Sequence, residues 1–173
     1  AAKMQVPDLG KDFRLAGEEL IKKGLFQEAI IKFNQAINAN PYDGRAYASL
    51  GLAYSQTQRL DLGLEQVKKA VDLTPDDDYV WAQAGNVYTF SKDYDAAIKA
   101  YEEAIKLNPE YLEALYNLGF LYNTKNKYAE AIKVLGKAVK LKPSFGEAHN
   151  NLGVAYWNTG RSDEAIQEYR EAL

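Results

Sequence analysis

The chain has 173 residues, 47% of them hydrophobic, and a formal net charge of −3 at pH 7, a composition of folded rather than disordered or fibrous proteins. A pI near 5.3 with no block of Lys or Arg argues against nucleic acid, and no apolar run approaches a membrane span. The chain has no cysteine and only one histidine, His149, so disulfides and thiolate chemistry are excluded, and a Ser-His-Asp set or a zinc site would hang on one side chain.

Residues 1–9 read as an extension. Their opening lacks the charged and apolar regions of a signal peptide and does not begin with Met, which fits a processed end or a cloning scar and leaves the compartment open. From residue 10 the chain repeats itself every 34 residues: Pro41, Pro75, Pro109 and Pro143 keep that step, as do Gly17, Gly51, Gly85, Gly119 and Gly153. Tyr54, Tyr88, Tyr122 and Tyr156 follow, with Leu20 in the first copy, and so do Ala36, Ala70, Ala104, Ala138 and Ala172. The copies are 10–43, 44–77, 78–111, 112–145 and 146–173.

Within a copy the apolar spacing predicts two helices. In the fourth, Leu115, Leu118, Gly119 and Tyr122 mark a face of the first, and Ala131, Leu135 and Ala138 a face of the second. Polar or Gly residues occupy the break, Gly24, Gln58, Lys92, Asn126 and Gly160, and Gly or Asn there suits the left-handed residue that ends a helix. Each Pro stops the second helix or opens the next turn. Small residues at the crossing let the two axes approach. Gly63 stands where other copies have Ala, which keeps that approach and weakens its helix by up to about 1 kcal/mol.

These residues and their step resemble the tetratricopeptide repeat family. The third copy matches best, with Trp81, Ala84-Gly85, Tyr88, Ala97, Tyr101, Ala104 and Pro109. The resemblance covers residues 10–173 and implies an all-α solenoid of five helix-turn-helix pairs wound as a right-handed superhelix. Val67 and Leu135 replace an expected aromatic, and Ser162 departs from the Phe26, Leu60, Tyr94, Tyr128 series.

On the first helix of the fourth copy, Leu115, Gly119 and Tyr122 should meet the second helix, and Ala114, Leu118 and Leu121 the preceding copy. That leaves a third stripe, Glu113, Tyr116, Asn117, Phe120, Asn123 and Thr124, which in the resembled fold lines a concave surface. Over copies two to five its 24 positions hold only three charges, Arg45, Glu113 and Glu147. Eight are amides: Gln56, Gln83, Asn86, Asn117, Asn123, Asn150, Asn151 and Asn158. Five are aromatic: Tyr79, Phe90, Tyr116, Phe120 and Trp157. Amides can pair with the backbone of an extended peptide whatever its sequence, and rings can cover its side chains. The alternative for Asn117 and Asn151 is a habit of the repeat, and for Tyr116 and Phe120 packing on adjacent helices. Trp81 and His149 share a packing slot.

The chaperone-binding members of the resembled family read an acidic C-terminal tail with Lys and Asn, then Asn, then Lys and Arg. This chain keeps Asn86 and Asn117 but has Ala82, Glu147 and Asn151 where the cations belong, which argues against that partner. Lys11, Arg14 and Lys22 in the first copy hint weakly at an acidic ligand end. Asp12 and Glu19 occupy the stripe that faces a preceding copy, so the amino end reads as a cap. Ile166, Tyr169 and Leu173 repeat slots that the next copy should cover, and are expected to be unsatisfied, through continuation of the chain or a contact with another. The sequence thus predicts a non-enzymatic scaffold without metal or cofactor, binding an extended, mostly uncharged peptide of a protein partner. The alternative is a self-assembly module that forms homo-oligomers through its carboxyl-terminal face or its groove.

Overall fold

The computed structural model describes residues 8–173, and among them ten α-helices. They are α1 (Leu9–Lys22), α2 (Phe26–Ala39), α3 (Gly44–Gln56), α4 (Leu60–Leu73), α5 (Asp78–Phe90), α6 (Tyr94–Leu107), α7 (Leu112–Thr124), α8 (Tyr128–Leu141), α9 (Gly146–Asn158) and α10 (Ser162–Glu171). Odd-numbered helices lead each copy and even-numbered helices follow. Most of the expected extension, residues 1–7, lies outside the described residues, and α1 starts at Leu9.

The chemistry of the breaks follows from the backbone. Gly24, Gln58, Lys92, Asn126 and Gly160 all have positive φ, between 59° and 77°. Each is followed by an N–H that donates back into the last turn of the helix, as Leu25 does to the Leu20 carbonyl and Lys127 to Tyr122, which satisfies carbonyls the helix end would otherwise orphan. At the other end of each pair, Asn40, Thr74 and Lys142 leave the helical region immediately before Pro41, Pro75 and Lys142's neighbour Pro143, because the proline ring disfavours a helical residue ahead of it.

Close approach explains the glycines of the leading helices. A methyl at Gly17 would lie 2.5 Å from the Phe33 ring, one at Gly51 2.7 Å from Val67, and one at Gly153 2.7 Å from the Tyr169 ring. Gly119 faces Leu135 in the same way. The residue 16 positions on from each glycine therefore fills the room its missing side chain leaves, and Val67, Leu135 and Phe33 are fully buried. Gly63 is more than a weakened Ala: a methyl there would press on the Gly51 carbonyl oxygen at 2.8 Å and on Ser55.

The chain divides into two compact units, one ending at Asp93 and one beginning at Tyr94, so the boundary falls between the two helices of the third copy. In the first unit α1 packs on α2 and α3 on α4, while α3 also rests on α2 and α5 on α3 and α4. Its core joins Ala29, Phe33, Leu50 and Ala53 to Leu20 and Tyr54, and Tyr47, Ala70 and Val80 to Ile37 and Val71. In the second unit α7 packs on α6 and α8, α9 on α7 and α8, and α10 on α9. Leu115, Leu118, Leu121, Leu135 and Leu152 form its centre.

Candidate functional site

In the first unit the third stripe is largely closed. Ala48, Ser49, Ala82 and Gln83 are buried, Gln83 with 6% of its surface exposed. Tyr79 turns its hydroxyl onto the Ser49 hydroxyl at 2.8 Å, and burial pushes its pKa up to about 12. Its ring also lies under the Arg45 guanidinium, 5.3 Å from the centroid. Of the expected groove residues, Gln83 is thus buried and Tyr79 is engaged with Ser49 of the preceding copy, so both take part in packing between leading helices. Gln56 and Phe90 remain exposed, and Asn86 is half-buried with its amide donating to Gln83 at 3.2 Å.

The second unit is more open. Phe120 and Trp157 expose 49% and 57% of their surface, and Asn150 and Asn158 are exposed. The inner amides do otherwise. Asn123 donates to the Asn151 carbonyl at 2.9 Å, tying α7 to α9, and Asn117 donates to the Tyr101 hydroxyl at 3.4 Å. Tyr116 stacks at a tilt on Phe145 with ring centroids 4.9 Å apart. Asn158 donates one turn back to the Val154 carbonyl at 2.8 Å, which leaves its oxygen outward.

A cleft of about 680 Å³ opens beside these residues, walled by Tyr116, Glu147, Asn150 and Asn151 on one side and by Tyr169 and Leu173 on the other, with Gly146 and Ala172 between. It joins three groove residues to two residues of the expected carboxyl-terminal face. Reading stripes one helix at a time missed this junction. The signal was Gly146, whose lack of a side chain lets the end of α10 approach the start of α9: a methyl there would lie 3.0 Å from the Ala172 carbonyl.

On that face Ile166 is 43% exposed and Leu173 is exposed. Tyr169 is half-buried, with its ring over Gly153 on one side and the cleft on the other. Of the three cations behind the hint of an acidic ligand near α1, Lys11 is exposed and the other two are paired. Arg14 is held by Glu18 at 2.9 Å and Asp43 at 3.0 Å, and Lys22 by Glu19 at 2.7 Å. Asp12 and Glu19 are exposed.

His149 is buried between two acceptors, Glu168 at 2.6 Å on Nδ1 and the Pro143 carbonyl at 2.8 Å on Nε2. Trp81, half-buried in the same slot, donates its indole N–H to the Pro75 carbonyl at 2.7 Å, so the shared role is a ring N–H that pins the turn between copies. A neutral imidazole can satisfy only one of the two acceptors around His149, so the cation is favoured. Burial opposes its charge, but the bond to Glu168 and then that to Pro143 prevail, and the pKa is raised.

No group of three or more metal-ligating side chains lies together among the described residues, and no helix among them is long and apolar enough to cross a membrane.

Family models described as tetratricopeptide or TPR repeats match residues 14–78, 85–125, 121–160 and 148–173. The chain belongs to the tetratricopeptide repeat family. Its fold is the all-α solenoid of that family, whose members are protein–protein interaction scaffolds. A crystal structure of MamA is 30% identical with a TM-score of 0.77, over 91% of this chain and 92% of that one. The Pseudomonas aeruginosa PilF structure superposes with a TM-score of 0.86 at 20% identity, over 95% of this chain and 75% of that one. A 63-residue stretch, 36% of this chain, is 33% identical to the Hsp70-Hsp90 organizing protein of Triticum aestivum. That stretch spans only 11% of the Triticum protein.

Proposed function

We propose that this tetratricopeptide repeat chain is a non-enzymatic scaffold that binds an extended, mostly uncharged peptide of a partner protein along the leading helices. The observation that carries this reading is the set of rings and amides left outward on α7 and α9: Phe120, Asn150, Trp157 and Asn158. Exposed rings of this size are costly to leave bare, and an amide offers a donor and an acceptor to a peptide backbone. Each such bond contributes about 0.5–1.5 kcal/mol net and ordering the peptide offsets part of it, so the affinity is modest. The similarity to an Hsp70-Hsp90 organizing protein does not bring a chaperone tail with it, since Ala82, Glu147 and Asn151 stand where that tail needs cations.

Asn86 and Asn117 take part in bonds inside their units, so the test moves outward. The combined variant Asn150→Ala, Trp157→Ala should lose the partner captured by the wild-type chain while its melting temperature stays within about 2 °C, as expected for surface changes. Equal loss of folding and binding would defeat the reading.

Self-assembly is the second reading, favoured by Ile166 and Leu173 at the carboxyl-terminal end. Light scattering across concentration tests it with Ile166→Glu and Leu173→Glu, because Tyr169 serves the fold. Growth of the wild-type particle that both variants abolish would establish assembly, and a monomer at every concentration would remove it.

A further inference from the structure

The cleft between α9 and α10 opens on the proposed peptide face of the second unit, and its wall chemistry is uneven. Glu147 contributes a carboxylate, Asn150 and Asn151 contribute amides, and Tyr116, Tyr169 and Leu173 contribute rings and an aliphatic edge. No Lys or Arg lies on the outward stripe of α7 or α9, whereas Glu113 and Glu147 both do. The neighbouring Lys142 is turned to the Phe145 ring, 5.3 Å from its centroid, and His149 is turned to Glu168. Gly146 and Ala172 keep the floor shallow in side chains and so leave depth for a long one.

We infer that this cleft reads one basic side chain of the bound peptide, a Lys or Arg whose cation meets Glu147 and whose methylene stem lies along Tyr116, Tyr169 and Leu173. The chemistry is matched at both ends of such a side chain: the stem covers apolar surface while the charged head stays at the wet rim, where a carboxylate and aromatic rings attract it. Asn150 and Asn151 are placed to pair with the peptide backbone on either side. The ligand is then mostly uncharged along its length with one fixed cation, and Glu147 disfavours an acidic residue at that place. This rests on the peptide-binding reading above and adds register to it, because a single charged pocket fixes which residue of an otherwise neutral strand sits at α9. An exposed ion pair is weak, so discrimination of about three- to tenfold is expected rather than an all-or-none effect.

The test uses the full chain, labelled with nitrogen-15, and two peptides: acetyl-Gly-Leu-Lys-Leu-Gly-amide and its counterpart with norleucine in place of Lys. The Lys peptide should shift the amide resonances of Glu147, Asn150 and Tyr169 saturably and bind three- to tenfold tighter than the norleucine peptide at low salt. In Glu147→Gln the two peptides should bind alike. Equal affinity in the wild-type chain, or preference for Lys that persists in Glu147→Gln, overturns the basic-residue assignment. Shifts confined to Phe120 and Trp157 without discrimination remove this inference and leave the peptide-binding reading standing, whereas no shift with either peptide removes both.

Discussion

The two units hold successive leading helices in place by different chemistry. In the first unit α3 and α5 begin at Asp43 and Asp77, whose carboxylates accept backbone N–H groups of the first turn and also bind an arginine from the preceding leading helix. Arg14 meets Asp43 at 3.0 Å and Arg45 meets Asp77 at 2.7 Å. In the second unit α7 and α9 begin at Tyr111 and Phe145, which make no side-chain cap, and Phe145 lies against Tyr116 instead. One carboxylate thus does two jobs in the first unit, capping a helix and fixing its position on its neighbour, while the second unit gives up the cap, a matter of about 1 kcal/mol, for buried ring area. The same repeat tolerates both, since its spacing comes from the glycine crossings that the units share. It also leaves carboxylates as the only charges on the outward stripe of the second unit, and the proposed preference of its cleft for a cation rests on that.

The crossings should give the largest effect and the same one in both units. Gly51→Val and Gly119→Val should each cost about 2–3 kcal/mol by overpacking against Val67 and Leu135. The two tryptophans report separately, Trp81 in the first unit and Trp157 in the second, so urea denaturation of single-tryptophan variants measures each unit. Removing the ion pair comes next and should separate the units. Arg14→Met, which leaves Asp43 only its helix cap although its side chain is 13% exposed, should cost the first unit about 1–2 kcal/mol at low salt. That loss should shrink in about 1 M NaCl, while a similar loss from Phe145→Ala in the second unit should not.

A pH dependence should belong to the second unit alone. The folded pKa of His149 is raised above its ordinary value of 6.5, so its contribution is fully present below pH 6.5 and lost as pH rises through the higher folded value. Stability followed through Trp157 should therefore fall on going from pH 6 to pH 8, and the fall should vanish in His149→Gln. A fall of the same size in that variant would place the cause elsewhere. The smallest change is a gain: Gly136 in α8 has open space where a side chain would be, so Gly136→Ala should stabilise by about 0.5–1 kcal/mol.

The periodicity made the helices, their left-handed breaks and their crossings legible in the sequence, because each depends on residues within one copy. Gln58 and Lys92 go beyond that reading: the break was expected there, but only Gly or Asn was expected to suit positive φ, and both adopt it. What could not be read was placed by partners in another copy. Arg14 and Asp43 are 29 residues apart, and Tyr79 and Ser49 are 30 apart, separations with no local signature. The outward amides divided for the same reason: Gln83 closed against its surroundings and Asn150 stayed open, although the stripe predicted one fate for both. Tyr169 shares its expected slot with Ile166 and Leu173, and its ring also packs over Gly153.

The central claim is that packing uses two sides of each leading helix and leaves the third for a ligand. Benzoylphenylalanine placed at Phe120 or Trp157 on the outward stripe, and at Lys99 or Lys137 on the following helices, tests it directly by photocrosslinking to the bound partner. Adducts should form from the first two positions and weaken with Asn150→Ala, while the two lysine positions give none. Adducts of equal yield from Lys99 and Lys137, or none from Phe120 and Trp157, would contradict it.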